Sequence, residues 1–252
     1  MELNAIYVIW LREMKRFSRD KFRFIGGITT PLIYLAILGL GLKSSFQFAD
    51  PNFDYLHFIL PGIIGMSLLF TSIFSGISVI YERQFGFLKE LLVAPVSRAS
   101  IVLGKISGST TIAFLNGAIL LIIGLLFGLI PLQNITILSV LIALLFMILI
   151  ASSFVSLGLA LAAKMNSMEG FQFVMSFLVM PVFLLSGVFF PINNLPPWMA
   201  ALAHIDPLMY GVDGIRGALL GSSLNSIWLN LAVLIIFNIA MILITKKLFE
   251  RI

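Results

Sequence analysis

The chain has 252 residues, of which 60% are hydrophobic and only 11% are charged, and its mean hydropathy is +1.10. A soluble domain has about 25% charged residues, so this composition excludes a soluble globular protein and predicts an integral membrane protein. The net charge of +5 does not by itself indicate nucleic-acid binding, and the absence of cysteine excludes disulfides and thiolate metal sites.

Six apolar segments are long enough to cross a bilayer as helices, whereas the strands of a membrane barrel would be about 10 residues long and alternating. The six segments are 24–42, 57–80, 105–130, 135–163, 171–190 and 225–245. Gly124 and Gly128 have the spacing that lets helices approach closely, here within one subunit. The sequence therefore predicts an all-α polytopic membrane protein in which residues 1–252 form a single transmembrane domain.

The N-terminal segment 1–23 has the charge order opposite to that of a cleavable signal peptide, because its apolar part precedes its basic part. We interpret it as an amphipathic helix at the membrane surface. The basic residues are Arg12, Lys15, Arg16 and Arg19.

Lys and Arg residues fall almost entirely on one side of the predicted topology. Only Lys43 and Arg216 lie on the other side. Since cytoplasmic loops carry an excess of Lys and Arg, this distribution predicts that both termini and the loop 81–104 are cytoplasmic.

The loop 81–104 is charged, although the segments 57–80 and 106–163 beside it have no charged residue. Its central part has an apolar face at helical spacing, formed by Phe87, Leu88, Leu91 and Leu92. Pro95 is expected to end that helix, and Ser97 to cap the next one. The residues alone leave two interpretations open: a helix that transmits movement to the second and third spans, or a linker lying on the surface.

The segment 187–223 is too apolar for an ordinary loop and too interrupted by Pro and Gly for a span. It predicts two short helices that lie at or dip into the outer leaflet. Pro197 would begin one, while Asp206 and Pro207 would begin the second and Gly221 would end it. Asp213 and Arg216 are three residues apart on the second helix, a spacing that allows an ion pair. A structural lid and a gate on a substrate path both fit this pattern.

Motifs for chemistry are missing from the sequence. There is no phosphate-binding P-loop, and no His, Asp or Glu residues have metal-ligand spacing. The predicted spans have no ionisable residue near their centres, although ion-coupled carriers commonly use one there. We therefore expect no enzyme activity, no cofactor and no metal in this chain, and we expect a partner to supply the energy for any uphill transport.

Two stretches resemble ABC-2 type transport permeases, with the drug-exporter-like branch closest. Between the second and third spans, the matching residues are Glu82, Arg83, Gly86, Glu90, Leu91, Pro95, Ser97, Arg98, Gly104 and Lys105. Between the fifth and sixth spans, they are Ser186, Gly187, Phe190, Pro191, Leu195, Pro196, Pro197, Trp198, Pro207, Tyr210, Asp213 and Arg216. The resemblance covers nearly the whole chain. It departs at Ala94, where the family often has Thr.

The resemblance implies the membrane subunit of an ATP-driven exporter, which works as a homodimer with a separate ABC ATPase that binds ATP and Mg. It assigns ATPase coupling to Glu82, Arg83, Gly86, Phe87, Leu88, Lys89, Glu90, Leu91 and Pro95. It adds Arg12, Lys15, Arg16 and Arg19 as an N-terminal interface, and Pro191, Pro197, Trp198, Pro207, Tyr210, Asp213 and Arg216 as an outer gate.

These observations predict a permease of the plasma or inner membrane that contacts lipid and no nucleic acid. It would move a hydrophobic or amphipathic substrate, such as a drug, a lipid or a lipid-linked glycan, out of the cytoplasm or inner leaflet. The alternatives are a membrane anchor or assembly factor without transport activity of its own and, with least support from the uncharged spans, an ion-coupled carrier.

Overall fold

The computed structural model describes residues 2–49, 54–86, 95–131, 135–165 and 167–250, and these residues form helices and turns but no β-strand. Within them, six helical segments are long and apolar enough to cross a membrane. In chain order, spans 1 to 6 are Phe24–Lys43, Tyr55–Gln84, Arg98–Leu126, Ile137–Lys164, Met168–Leu185 and Ile227–Phe249. The predicted all-α fold with six membrane-spanning helices is confirmed.

The α-helices of the described residues are α1 (Leu3–Arg19), α2 (Lys21–Ala49), α3 (Tyr55–Phe74), α4 (Ile77–Gln84), α5 (Arg98–Leu126), α6 (Ile137–Lys164), α7 (Met168–Val174), α8 (Met180–Leu185), α9 (Pro197–Ala203), α10 (Pro207–Leu220) and α11 (Ile227–Phe249). A π-helical turn, Met175–Val179, joins α7 to α8, and a 3₁₀ turn, Ile192–Asn194, precedes α9. Span 1 lies in α2, span 2 comprises α3 and α4, and span 5 runs from α7 to α8. Spans 3, 4 and 6 lie in α5, α6 and α11.

The helices on either side of the segment 85–97 are longer than the sequence suggested. Helix α4 continues to Gln84, and α5 begins at Arg98 rather than near residue 105. The start of α5 is stabilised by the predicted cap, because the Ser97 hydroxyl accepts a hydrogen bond from the Ser100 amide at 3.2 Å. The expected loop 81–104 is therefore helical at both of its ends.

Span 2 is the central helix of the bundle, with 78% of its most apolar window buried. It crosses span 4 so closely that a Cβ atom added to Gly76 would lie 2.3 Å from the Gly158 carbonyl oxygen. A Cβ atom at Gly124 of span 3 would likewise lie 2.4 Å from Leu60. The close packing predicted within one subunit is thus confirmed at Gly124, whereas Gly128 (φ +67°) ends α5 and has open space around it.

Helix α10, the longer helix between spans 5 and 6, packs against α3, α6 and α11. Its glycines permit this, because a Cβ atom at Gly211 would lie 2.5 Å from Ile150 and one at Gly214 would lie 2.3 Å from Phe146. The predicted helix signals are confirmed: Asp206 caps α10, and Gly221 ends it with a φ of +69°. Helix α10 is therefore an integral part of the bundle.

Candidate functional site

A cluster of buried charges joins α1 to spans 2 and 3. Glu82, near the end of span 2, is only 4% exposed, and Lys105 of span 3 is 2% exposed. Lys105 Nζ lies 2.5 Å from Glu82 Oε2, and Arg12 Nη2 of α1 lies 2.9 Å from Glu82 Oε1. Arg16 is 3.9 Å from Glu82, and Glu13 is 4.0 Å from Lys105. We call these five residues the Glu82 cluster.

Small residues on α5 bring α1 close enough to build this cluster. A Cβ atom at Gly104 would lie 2.7 Å from Ile9, and one at Gly108 would lie 2.8 Å from Glu13. The Trp10 indole N–H adds a hydrogen bond to the Thr111 hydroxyl at 3.1 Å. Glu13 is therefore held beside Lys105 by the packing of the two helices.

Charges this deeply buried are tolerated because they are paired. The Glu82 carboxylate has an ammonium on one oxygen and a guanidinium on the other, and each comes from a different helix. Movement of any of the three helices away from the others would leave a charge without its partner. The Glu82 cluster thus fixes α1, span 2 and span 3 to one another.

Arg83 extends this connection to span 4. Its guanidinium donates hydrogen bonds to the carbonyl oxygens of Ala163, at 2.9 Å, and Met165, at 3.1 Å. These carbonyls belong to the C-terminal end of α6, where unpaired carbonyl groups and the helix dipole favour a cation. Spans 2, 3 and 4 and α1 therefore meet immediately before Gly86.

Glu82 is one of the residues to which the resemblance assigns ATPase coupling. It lies inside the protein and binds residues of its own chain. Gly86, with a φ of +82°, follows it at the end of span 2, and Pro95 lies shortly before α5. The proposed coupling residues Phe87, Leu88, Lys89, Glu90 and Leu91 lie outside the described residues.

Sequence reasoning missed Glu13 and misplaced Lys105, which it put at the very start of a span. One signal for Glu13 was present, because Ile6, Ile9 and Glu13 recur at helical spacing and share the apolar face of α1. An acidic residue on an apolar helix face indicates a buried partner. Of the basic residues predicted as an interface, Lys15, Arg16 and Arg19 are exposed, and Arg12 is partly buried.

A second polar cluster lies between α10 and the start of α11. The Asp213 carboxylate accepts hydrogen bonds from the Leu224 amide at 2.7 Å, the Asn225 amide at 2.9 Å and the Asn230 side chain at 2.9 Å. We call Asp213, Arg216, Asn225 and Asn230 the Asp213 cluster. It fastens the turn after α10 and the beginning of span 6 to α10.

Arg216 is buried beside Asp213 but binds elsewhere. It donates to the Gly187 carbonyl at 3.0 Å, and its guanidinium lies 3.9 Å from the centroid of the Phe58 ring. Burial lowers the pKa of Arg216 to about 10, and the charge of Asp213 partly opposes this. Among the described residues the two side chains form no ion pair, and N–H groups of the following turn bind the Asp213 carboxylate instead. The spacing allows an ion pair that the structure does not contain.

The other residues predicted as a gate are spread along the segment between spans 5 and 6. Pro197 and Pro207 occupy the first turns of α9 and α10. The Tyr210 hydroxyl donates to the His204 carbonyl at 2.8 Å, whereas Trp198 is 65% exposed. Pro191 precedes the 3₁₀ turn and lines a cavity of about 370 Å³ together with Asp213 and Arg216. Three of the seven predicted gate residues therefore share one cavity, and the other four lie on α9 and α10.

Asp206 at the start of α10 is buried and accepts the Leu208 amide at 2.8 Å. Its second carboxylate oxygen has no partner among the described residues. Burial raises the pKa of Asp206 to about 7, against the lowering effect of its backbone hydrogen bonds. The carboxyl group at this helix start therefore titrates near neutral pH.

A cavity of about 380 Å³ lies between spans 1, 2, 3 and 5, close to the end of α1. Its lining residues are Phe17, Gly26, Gly27, Thr30, Pro31, Tyr34, Met66, Ser67, Phe70, Thr71, Phe74, Ile112, Asn116 and Met180. The lining is apolar and aromatic apart from one group of hydroxyl and amide side chains. Among the described residues, no group of three or more His, Asp or Glu side chains could hold a metal ion.

Six apolar spans, of which spans 2, 3 and 4 are joined at one end by charged side chains, define a multi-pass membrane protein. The model of the ABC-2 type transporter family matches residues 4–220, and the chain belongs to that family. The chain is therefore a membrane transport permease subunit.

Curated relatives match along nearly their full length. The chain is 29% identical over 250 residues to the inner membrane transport permease YadH of Escherichia coli K12, covering 98% of this chain and 95% of the relative. It is 27% identical over 265 residues to the putative transport permease ycf38 of Cyanophora paradoxa, covering 99% and 90%. It is 27% identical over 246 residues to nodulation protein J of Rhizobium leguminosarum bv. viciae, covering 96% and 93%.

Proposed function

We propose that this permease is the membrane subunit of an ATP-driven exporter and works as a homodimer with a separate ABC ATPase that binds ATP and Mg. Both termini and the segment 85–97 would face the cytoplasm, as the Lys and Arg distribution indicates. Membership of the ABC-2 type family supports association with an ABC ATPase. The name of the bacterial relative supports an inner-membrane location.

The single observation that carries this proposal is the burial of Glu82 between Lys105 and Arg12. The segment proposed to contact the ATPase begins three residues after Glu82 and ends before Arg98. The ion pair between Glu82 and Lys105 holds together the two helices that flank this segment. A force on the segment therefore moves spans 2 and 3 together, because it does not separate them. Through Arg83 the same force reaches span 4.

Helix α1 offers a second contact for the ATPase. Lys15, Arg16 and Arg19 are exposed along one side of the helix, and Val8 and Leu11 lie beside them in a shallow groove. A basic groove of this kind suits an acidic partner surface. Since the Glu82 cluster also contains Arg12 and Glu13, a partner bound to α1 would act on the same junction as one bound to the segment 85–97.

The cargo in this proposal is hydrophobic or amphipathic and leaves the cytoplasm or the inner leaflet. In the described part of the chain, the side chains that line the cavity between spans 1, 2, 3 and 5 carry no formal charge. The residues of α9 and α10 would cover the outer end of the path. The names of two relatives, both transport permeases, support a transport role.

The experiment is co-expression with an ABC ATPase from the same genome, followed by purification and reconstitution in liposomes. We expect co-purification, and ATP-dependent movement of an amphipathic dye that Gly86→Ala reduces. Alanine at a φ of +82° is strained by roughly 1–2 kcal/mol and would shift the start of the coupling segment. Gly41→Ala is the matched control, because Gly41 also has open space but no positive φ.

Three results would contradict the proposal. Isolation without any ATPase in mild detergent would favour an anchor or assembly factor. Co-purification without ATP-dependent transport of any amphipathic dye would favour the same alternative. Transport that follows an ion gradient in the absence of ATP would indicate an ion-coupled carrier.

A further inference from the structure

The cavity between spans 1, 2, 3 and 5 is lined by two chemically different sets of side chains. Four carry a hydroxyl or amide group, and we call them the polar wall: Thr30 of span 1, Ser67 and Thr71 of span 2, and Asn116 of span 3. Four carry aromatic rings, and we call them the aromatic wall: Phe17, Tyr34, Phe70 and Phe74. A predominantly apolar and aromatic lining with a few polar groups is the usual form of a small-molecule site.

Asn116 is the unusual member of the polar wall. It is only 1% exposed, and its Oδ1 atom has no hydrogen-bond partner among the described residues. Its Nδ2 atom makes a long hydrogen bond of 3.4 Å to the Thr71 hydroxyl. A buried acceptor left unsatisfied is destabilising, so an amide in this state points to a ligand that supplies the missing donor.

Neighbouring residues hold Asn116 at the cavity. Span 1 passes so close that a Cβ atom at Gly27 would lie 2.5 Å from Asn116 Nδ2. The Ser67 hydroxyl donates to the Gly27 carbonyl at 3.4 Å, which joins span 1 to span 2 at the same level. The amide is therefore confined by three spans, and the polar wall is a built part of the packing.

We propose that this cavity binds an uncharged amphipathic molecule, which donates one hydrogen bond to Asn116 and places a flat apolar body against the aromatic wall. The proposal rests on the proposed transport function and adds the class of cargo. An ionised ligand is excluded by the lining, since a buried charge without a partner is strongly disfavoured. A volume of about 380 Å³ selects a compact molecule of a few fused rings over a long glycan.

The cavity is open on one side, which gives such a ligand a way in. Thr30, Tyr34, Phe74 and Met180 line it and are also exposed at the surface of the subunit. These residues come from spans 1, 2 and 5, so the opening lies on the flank of the span bundle. An apolar molecule dissolved in the membrane can reach Asn116 by this route.

The test is binding of two matched probes to the full chain in lipid nanodiscs, without ATPase, with empty nanodiscs as background. The probes are 1-aminoanthracene, which is uncharged at neutral pH and carries one amine donor, and anthracene, which has none. We expect saturable binding of 1-aminoanthracene that Asn116→Leu weakens about 3- to 10-fold, the range for one net hydrogen bond. Binding of anthracene should change less than about twofold.

A second pair of variants tests the location. Thr30 and Thr29 are adjacent exposed residues of span 1, but only Thr30 lines the cavity. Thr30→Trp should weaken both probes, and Thr29→Trp should weaken neither. The melting temperature of Asn116→Leu should equal or exceed that of the parent protein, because the substitution removes an unpaired buried oxygen.

The inference is overturned if neither probe binds above the background of empty nanodiscs, or if Asn116→Leu affects both probes equally. It is also overturned if Thr29→Trp and Thr30→Trp have the same effect. The outcome is separate from that of the proposed function, because the binding assay contains no ATPase and no transport step. If the chain binds 1-aminoanthracene through Asn116 but shows no transport, the binding site is supported and the exporter function is contradicted.

Discussion

The two buried polar clusters satisfy their charges in opposite ways. In the Glu82 cluster, a carboxylate meets an ammonium and a guanidinium from other helices. In the Asp213 cluster, the carboxylate meets only uncharged N–H groups, and Arg216 meets carbonyl oxygens and the Phe58 ring. One cluster joins whole helices by opposite charges, and the other fastens a turn to a helix by neutral dipoles.

The difference predicts how each cluster responds to change. Removing one member of a buried ion pair leaves the other charge stranded, which costs about 3–5 kcal/mol. Removing one of several neutral donors leaves a carboxylate that still has the others, so the cost is that of a single hydrogen bond to a charge, about 1.5–3 kcal/mol. We therefore expect a substitution in the Glu82 cluster to lower the free energy of unfolding more than a substitution in the Asp213 cluster does.

The largest effect is expected from Lys105→Met. Methionine fills a similar volume but leaves Glu82 and Glu13 buried without the ammonium between them. We predict a loss of about 3–5 kcal/mol in the free energy of unfolding, measured by denaturant titration in mild detergent.

Lys164→Met is the matched control, because Lys164 is exposed at the end of span 4, and it should change stability by less than about 0.5 kcal/mol. Adding Glu82→Gln to Lys105→Met should recover part of the loss, since it removes a buried charge that has lost its ammonium partner and keeps only the two arginines of α1. If the double variant is as unstable as the sum of the two single variants, the ion pair is not the source of the effect.

Asp206, at the same end of the molecule as the Asp213 cluster, provides a dependence on pH. Its folded-state pKa of about 7 lies above the usual value of 3.8, so the folded protein holds this proton more tightly than the unfolded chain does. The stability from this group is fully present below about pH 4 and is lost as pH rises through 7. At about 1.4 kcal/mol per pKa unit, the change is on the order of 4 kcal/mol.

Asp206→Asn isolates this contribution, because asparagine keeps the oxygen that accepts the Leu208 amide but carries no charge. We expect the variant and the parent protein to have similar melting temperatures at pH 4, and the variant to be the more stable at pH 8. A difference between them that is constant from pH 4 to pH 8 would show that burial of this carboxylate does not govern stability.

The sequence predicted the features of this fold that depend on neighbouring residues. The cap at Ser97, the start of α10 at Asp206 and its end at Gly221 were correct because each uses groups within a few residues. The spans were predicted correctly because each is a long continuous run of mostly apolar residues. The predicted ends of the spans were less accurate. Helix α5 begins at Arg98, in a segment where the charges of Arg98 and Lys105 had indicated a loop.

The contacts between spans could not be predicted in the same way. Glu82 binds Lys105 across 23 positions and Arg12 across 70, and no local pattern states which distant charges will meet. The spacing of Asp213 and Arg216 within α10 likewise did not decide their partners, since Asp213 is bound by residues of the following turn and span 6. The cavity beside Asn116 depends on the approach of three spans and had no sequence signal at all.

An intermediate effect is expected from Asp213→Asn. The substitution turns one acceptor oxygen into a donor that faces the N–H groups of the following turn or Asn230. We predict a loss of about 2 kcal/mol, less than for Lys105→Met, because the remaining oxygen keeps part of the network. Asn225→Ala is the control, since the Asn225 contact to Asp213 uses its backbone amide, and it should cost less than about 0.5 kcal/mol. A loss for Asp213→Asn that matches or exceeds the loss for Lys105→Met would remove the distinction between the two clusters.

The smallest effect concerns the exposed rim of the Glu82 cluster. Arg12 and Arg16 approach the same Glu82 oxygen, but at 2.9 Å and 3.9 Å, and their side chains are 39% and 45% exposed. Exposed ion pairs contribute about 0–1 kcal/mol, so Arg16→Gln should cost less than about 0.5 kcal/mol and Arg12→Gln about 1 kcal/mol. Double-mutant cycles with Glu82→Gln measure each coupling energy directly. Two results would contradict this prediction: equal coupling energies for both arginines, or a coupling energy as large as that between Glu82 and Lys105. Either would mean that the cluster stabilises the junction through its total charge and that the buried contact between Glu82 and Lys105 has no special part.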